Sequence, residues 1–277
     1  MYEAKESGRN RFSVYTPASE YEASSRARLR SLERVRRALD EGLFELASQP
    51  IVDLRTGAVS QHELLIRMRE GDGLVLPAHF LSVAERFGLI RAIDRWVIAE
   101  AVRLLARAPE GEVPCIEINL SCDSLSDDQL PAYIERVLGE GGVDPERIIF
   151  EVTETAAIAN MAQARVFVER VRELGCRFAL DDFGAGFASF YYLKHLPFDY
   201  VKIDGEFIRN LPANATDRLI VEAVVATAKG MGKQTIAEFV GDESTVELLR
   251  ELGVDYAQGY HLGRPGPAGD MLAALAA

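Results

Sequence analysis

From Leu43 onward the chain alternates short apolar runs with amphipathic segments, and no other feature narrows its fold as far. The short runs have strand length: 44–48, 59–66, 115–120, 148–152, 177–180, 200–203, 234–237 and 256–259. Between them lie segments with helical spacing of apolar residues, at 78–87, 90–106, 127–138, 162–174, 217–231 and 243–252. Gly88, Gly139, Gly175, Gly232 and Gly253 stand where these helices should end, as C-caps do. Eight strands separated by helices predict an α/β chain of the (β/α)8, TIM-like type. Its 277 residues fit a barrel of this kind as a single domain. Only Arg55-Thr56-Gly57 and their neighbours separate the first two runs. That gap is too short for a crossover helix, so it predicts a hairpin and an antiparallel first strand.

Ahead of the barrel the sequence predicts a polar, Arg-rich helix from about Ser24 to Asp40, with Leu29, Leu32, Val35 and Leu39 on one face. That stripe suits docking on the barrel, or service as a connector or dimer helix from an upstream domain, and the sequence leaves both open. Residues 1–10 read as the end of a helix and 11–15 as a strand, without a core of their own.

Charge narrows the partners. A net charge of -12 excludes a nucleic-acid polymer held by a basic surface, since phosphate contacts need Lys and Arg. A small anionic substrate remains admissible where bound cations supply positive charge. Cys115, Cys122 and Cys176 show no CxxC spacing, which predicts free thiols in a reducing compartment. No segment resembles a signal peptide or a membrane span.

Polar residues recur where the strand candidates end. Glu63 lies in the second, Asn119 and Ser121 close the third, and Glu151 and Glu154 the fourth. Asp181 and Asp182 close the fifth, Lys202 and Asp204 the sixth, Glu238 the seventh and Gln258 the eighth. In a barrel all these ends converge on one mouth, where the chemistry of such folds sits. Adjacent carboxylates repel unless cations neutralise them, so Asp181-Asp182 predicts a site for two divalent metals. Oxygen donors without histidine select Mg2+, Mn2+ or Ca2+ rather than zinc. His62 and His195 read as structural or exposed residues rather than ligands. Two such ions about 3.5–4 Å apart could activate a water and neutralise a phosphoryl oxygen. A nearby lysine could hold the nucleophile or help deprotonate the water.

With these residues assembled, the chain resembles the EAL-domain phosphodiesterases, which hydrolyse cyclic di-GMP. The likeness rests on Gln49-Pro50-Ile51-Val52, Glu63-Leu64-Leu65-Ile66-Arg67, Asn119-Leu120-Ser121, Glu151-Val152-Thr153-Glu154, Asp181-Asp182-Phe183-Gly184, Lys202-Ile203-Asp204, Ala237-Glu238 and Gln258-Gly259-Tyr260, in the family's order. It implies that Glu63, Asn119, Glu151 and Asp181 bind a first metal. Asp181 would bridge to a second, with Asp182 and Glu238 beside it. It assigns catalysis to Glu63, Lys202, Glu238 and Gln258, and substrate contacts to Gln49, Arg67 and Asp204. Glu154 would anchor the loop after Asp182, which the family couples to dimerisation. The implied cofactors are two Mg2+ or Mn2+ ions, with Ca2+ as an inhibitor, and the implied product is linear pGpG. The implied assembly is a homodimer in the bacterial cytoplasm, its parent protein open to a membrane tether. Residues 1–15, with Gly8-Arg9-Asn10-Arg11, resemble the end of a GGDEF domain, 16–42 a connector helix, and 43–277 the phosphodiesterase barrel.

The chain departs from the family pattern at Leu64, at Ala185 and Ala188 in the loop, and at Phe239 and Gly241. The family commonly has Gly at the former and a second Glu at the latter of that last pair. Those changes keep a second reading open, a catalytically weak cyclic di-GMP receptor.

Overall fold

Side chains alternate across a β-strand, so each barrel strand sends every second residue inward and the rest toward the surrounding helices. The computed structural model describes residues 18–108, 115–159, 161–184 and 194–275, with side chains described from 29 to 272 of these. The expectations for residues 1–15, and for Ala185 and Ala188, lie outside the described residues. The strands are β1 (Phe44–Asp53), β2 (Val59–Glu70), β3 (Gly73–Val75), β4 (Cys115–Asn119), β5 (Ile148–Thr153), β6 (Arg177–Phe183), β7 (Tyr200–Ile203), β8 (Gln234–Ala237), β9 (Tyr256–Ala257) and β10 (Gly266–Pro267). They form one sheet in the order β10-β1-β9-β8-β7-β6-β5-β4-β2-β3, and a further β1–β2 pairing closes eight of them into a barrel. β1 is antiparallel to β2 and to β9, while β2, β4, β5, β6, β7, β8 and β9 pair in parallel. The expected barrel and its reversed first strand are both present.

The hairpin makes β1 and β2 longer than their apolar runs, because they pair with each other from Phe44↔Met68 to Val52↔Val59. The helix expected from Asp127 instead spans Leu130–Gly141, with Pro131 in its first turn, where a missing N–H costs nothing. Its left-handed cap is Gly142, with φ 61°, rather than Gly139. The segment expected as one helix at 78–87 divides into a 3-10 turn at Pro77–His79 and a helix at Leu81–Arg86. β3 and β10 were not foreseen, being three and two residues long and too short for a periodicity.

The N-terminal helix spans Ala18–Glu41. Val35 and Ala38 are buried in the main core and Leu39 packs against it, while Leu29 is 55% exposed. Arg34 pairs with Glu70 of β2. The second half of this helix is therefore docked on the barrel.

The apolar core divides into two. The larger part lies between strands and helices, where Phe150, Phe178 and Phe167 pack ring against ring. The smaller is Ile51, Ile149, Ala179, Tyr200 and Ile236, with Cys115 and Tyr256 against it. Alternation places these residues inside the barrel, as a plug beneath the mouth. Among the described residues, no helix is long and apolar enough to cross a membrane.

Ile149 is fully buried in that plug, so truncation to Ala leaves a cavity with no room to collapse. Ile149→Ala is expected to lower the unfolding free energy by about 2–5 kcal/mol, measured by urea denaturation of metal-free protein.

Candidate active site

Two residues beyond the plug, the same alternation turns a second set inward. β2, β4, β5, β6 and β7 contribute Glu63, Glu117, Glu151, Asp181 and Lys202, and Glu238 and Gln258 follow directly on β8 and β9. β1 runs the other way and contributes Gln49, two residues before Ile51. Cross-strand register brings Glu63 level with Glu117, Asn119 level with Glu151, and Thr153 level with Asp181.

Lys202 is the centre of this layer. It is fully buried. Its Nζ lies 3.0 Å from Glu151 and Glu238, 3.7 Å from Glu63 and Asp181, and 3.8 Å from Glu117. Burial alone would lower the lysine pKa, but Asp181, Glu151, Glu238 and Glu63 outweigh it and raise it well above the ordinary value. The surrounding carboxylates thus favour the ammonium form, which draws them together.

Glu117 was missed by the sequence reading, although it stands two residues before Asn119 on the same face. Burial raises the carboxyls of both Glu117 and Glu151. As ionised acceptors, both oxygens of Glu117 and Oε2 of Glu151 have no donor. A proton held between the two carboxyls answers that need.

A hydrogen-bonded chain covers one side of the cluster. Asn119 Nδ2 donates to Glu63 Oε1 at 2.8 Å, and Gln258 Nε2 donates to Glu63 Oε2 at 2.7 Å. Gln258 Nε2 also reaches Gln49 Oε1 at 3.3 Å, and Gln49 Nε2 donates to the Gly263 carbonyl at 3.0 Å. The turn after Asn119 is fixed by buried Asp94, which accepts from Ser121 N at 3.1 Å, Ser121 Oγ at 2.6 Å and Ser124 Oγ at 2.6 Å. Asp94 sits in the Ile90–Leu105 helix, and no strand-end pattern pointed to it. Beside Glu63 and Asn119 lies an apolar cavity of about 480 Å³, with Leu65, Leu81, Ile93 and Ala156 in its walls.

Asp181 and Asp182 occupy a bulge. Leu180 pairs with Val201 and Phe183 with Ile203, so β6 spends one residue more than β7 over that interval. Asp182 absorbs it with a left-handed φ of 54°. The bulge lets two adjacent residues present carboxylates to one mouth, which regular alternation forbids. Asp182 is exposed at the rim, with its carboxyl partly shielded from water. Burial first, then Asp181 and Asp204, raise its pKa to about 6. Glu238 is pushed up to about 8 by burial, with Lys202 opposing and Asp181 and Glu63 reinforcing.

The remaining expected residues are peripheral to Lys202. Gly184 N donates to Glu154 Oε2 at 3.3 Å, so buried Glu154 holds the first residue after the bulged strand. Asp204 caps the short Gly205–Ile208 helix by accepting from Glu206 N at 2.6 Å. Arg67 is half-buried and donates to its neighbour's carbonyl, Ile66 O, at 2.8 Å rather than reaching a carboxylate. His62 is not in the cluster, and burial lowers its pKa to about 4. The three cysteines are free thiols.

The donor set fits divalent cations. Asp181, Asp182 and Glu238 each offer an oxygen, and these atoms lie within 4.8 Å of one another. Asp181 Oδ1 is buried and accepts no hydrogen bond. Five carboxylates share one lysine, a surplus of negative charge that oxygen-seeking cations relieve.

The model of the EAL domain family matches residues 32–265. Cyclic di-GMP phosphodiesterase PdeB of Shewanella oneidensis is 39% identical over 267 residues, covering 95% of this chain and 31% of that protein. The bifunctional diguanylate cyclase/cyclic di-GMP phosphodiesterase MucR of Pseudomonas aeruginosa is 35% identical over 279 residues, 100% of this chain and 40% of that protein. The chain therefore spans a third or so of the length of the curated relatives it matches. Among solved structures, the c-di-GMP complex of the PaMucR phosphodiesterase superposes with a TM-score of 0.82 at 34% identity. It covers 87% of this chain and 99% of that one.

The raised carboxyls make stability depend on pH in metal-free protein. Native Asp182 and Glu238 hold protons more tightly than the unfolded chain does. Stability is therefore greatest below the ordinary carboxyl pKa, and it falls as pH rises through about 6 and about 8. Thermal unfolding in EDTA should show this decline between pH 5 and pH 8.5, and Glu238→Gln should flatten its upper half. Saturating Mn2+ should flatten the whole of it.

Proposed function

The chain belongs to the EAL-domain family, and from that premise we propose that it is a metal-dependent phosphodiesterase that opens cyclic di-GMP to linear pGpG. The observation that carries this reading is the Lys202 cluster, in which every acidic residue expected at the first metal is aimed at one point. Glu63, Asn119, Glu151 and Asp181 would hold one divalent cation, and Asp181, Asp182 and Glu238 a second. Bound Mg2+ or Mn2+ would lower the pKa of water and neutralise a non-bridging phosphoryl oxygen.

The protein's own groups supply the rest. Lys202 keeps its charge, so its part is to orient the attacking oxygen and stabilise the negative charge that develops. Gln258 and Asn119 clamp both oxygens of Glu63, which fixes that carboxylate before substrate arrives. The apolar cavity beside Glu63 has room for a purine base. Arg67 lies four residues further along β2, with its guanidinium available to a phosphate. Asp204 and Gln49 would edge the substrate side, and Glu154, which accepts from Gly184 N, would anchor the loop after Asp182.

The same reading divides the chain into a phosphodiesterase barrel at 43–277, a connector at 16–42 and the end of a GGDEF domain at 1–15. It places the protein in the cytoplasm as a homodimer, with Ca2+ as an inhibitor. Support comes from MucR, a bifunctional cyclase and phosphodiesterase that matches along the whole of this chain.

One observation favours the weak receptor instead. Gly241 stands where the family has a second Glu, and a Cβ there would meet nothing within 4 Å. A missing carboxylate at that point could slow turnover while leaving binding intact. Since the space is open, Gly241→Glu is a direct test. A large gain in kcat would favour the receptor reading for the natural chain.

Purified protein with Mg2+ or Mn2+ should convert cyclic di-GMP to pGpG, followed by chromatography of the nucleotides, and excess EDTA should stop it. Glu63→Ala, Asp181→Asn and Lys202→Met should each lower kcat by about 100-fold or more. No pGpG with either metal would refute the enzyme.

A further inference from the structure

At the end of the barrel opposite Lys202, polar side chains meet that the chemistry above does not use. Gln61 of β2 is level with Ile51 of the plug on one side and with Cys115 of β4 on the other, so all three face inward. Arg177 of β6 joins them from the level of Ile149. Arg177 is half-buried, and among the described residues its guanidinium pairs with no carboxylate. It donates to the Glu146 carbonyl, at 2.5 Å from Nη2 and 3.1 Å from Nε, to Tyr200 Oη at 2.6 Å from Nη1 and to Cys115 Sγ at 2.9 Å from Nη2. Of these acceptors only the phenol and the thiol become anions by losing a proton. Burial outweighs Arg177 and raises the Tyr200 phenol above its ordinary value, which keeps it neutral. The sulfur of Cys115 is therefore the acceptor able to supply the negative charge this guanidinium lacks.

Gln61 is an independent sign of the same site. It is 2% exposed, and both its Nε2 and its Oε1 are buried without a hydrogen-bond partner. A buried amide with neither end satisfied is costly. An oxygen added to the neighbouring sulfur would accept from Nε2 and, as S–O–H, donate to Oε1. The other two thiols lack such a setting. Cys122 is exposed, but burial of its sulfur, Asp123 and Glu85 all raise its pKa. Cys176 is buried, and burial, with Asp144 adding to it, pushes its thiol up to about 12. Cys115 alone combines partial exposure with a cationic neighbour, the setting in which thiolates form and react.

We propose that Cys115 is a peroxide-reactive thiol, and that Arg177 and Gln61 hold the sulfenic acid it forms. The Cys115 thiolate attacks one oxygen of a hydroperoxide. An S–O bond forms as the O–O bond breaks, and the leaving oxygen departs with the bonding pair. That oxygen takes up the proton the thiol released and leaves as water or an alcohol. Sulfur is oxidised by two electrons and the peroxide is reduced by two. The product, Cys–SOH, is returned to the thiol by small thiols through a mixed disulfide. The plug separates this site from the carboxylate layer, and the proposal is independent of the phosphodiesterase reading.

The test exposes the native protein to hydrogen peroxide in the presence of a chelator and of dimedone, which traps sulfenic acids. Mass spectrometry of the peptides then reads each cysteine separately. Cys115 should label about tenfold faster than either Cys122 or Cys176. Labelling of the more exposed Cys122 at an equal or higher rate, or no label on Cys115, would overturn the proposal. Arg177→Met should slow labelling of Cys115 about tenfold and leave Cys122 unchanged, while Arg177→Lys, which keeps the charge, should retain most of the rate. Undiminished labelling in Arg177→Met would refute activation by the guanidinium. Gln61→Leu should shorten the life of the sulfenic acid, followed by adding dimedone at set delays after catalase has removed the peroxide. An unchanged lifetime would overturn the part given to Gln61. Thermal melts check the fold of each variant, and the comparison of three thiols within the wild-type protein decides the matter even where a variant does not fold.

Discussion

The structure depends on how one buried ammonium is shared among carboxylates inside a closed sheet. At an effective dielectric near 20, each contact of Lys202 at 3.0 Å contributes roughly 5 kcal/mol of attraction. Dehydrating a lysine and several carboxylates costs several kcal/mol per ion. One positive charge therefore offsets one or two neighbours, but not Glu63, Glu117, Glu151, Asp181 and Glu238 together. The remainder is relieved by protonation, toward which burial drives Glu117, Glu151 and Glu238. On the proposed reading, cations at the mouth would take over that part and the same oxygens would become ligands.

The barrel geometry makes such crowding affordable. The plug of Ile51, Ile149, Ala179, Tyr200 and Ile236 seals the barrel below the charged layer, and the outer core holds the strands in register from the other side. Glu63, Glu151 and Lys202 are consequently fixed by backbone pairing on both edges of their strands rather than by loops. Asn119 closes β4, paired with Glu151 of β5, and Asp94 fixes the turn that follows through three hydrogen bonds to Ser121 and Ser124. The mouth is thus preorganised along β2 to β9, with Glu154 holding Gly184 at the end of the bulged strand.

Most of this layout was legible in the sequence because it follows from period two and from strand order. The runs at 200–203 and 234–237 coincide with β7 and β8, and the Arg55-Thr56-Gly57 gap gave the reversed first strand. The pattern failed where backbone departs from regularity or where meaning depends on a neighbour. Glu117 was passed over since it lies inside an apolar run, yet alternation from Asn119 would have turned it inward. The bulge at Asp181-Asp182 leaves no mark in hydropathy, and only the ladder to β7 shows the extra residue. Asp94 belongs to a helix, so a search of strand ends passes it by. Phe239 stands out in the sequence only as a departure from a family pattern, and its packing against Gly205 and Arg209, some thirty residues earlier, is visible only in the folded chain.

An acidic mouth and the anionic substrate proposed for it are compatible on one condition, that cations bind first. A site of neutral or basic residues could attract a phosphodiester directly, but it would hold product as firmly as substrate. On the phosphodiesterase reading, a surplus of carboxylates would repel the diester until cations reversed the sign of the mouth, which would make binding conditional on metal occupancy. Phosphate contacts would then fall to the cations, which are nearly indifferent to what the phosphate is attached to. Discrimination would come from elsewhere on the rim, from surfaces that read bases rather than charge. The apolar cavity beside Glu63, against β2 and β4, is one such surface, and on that reading it would receive a purine while the cations held the phosphate.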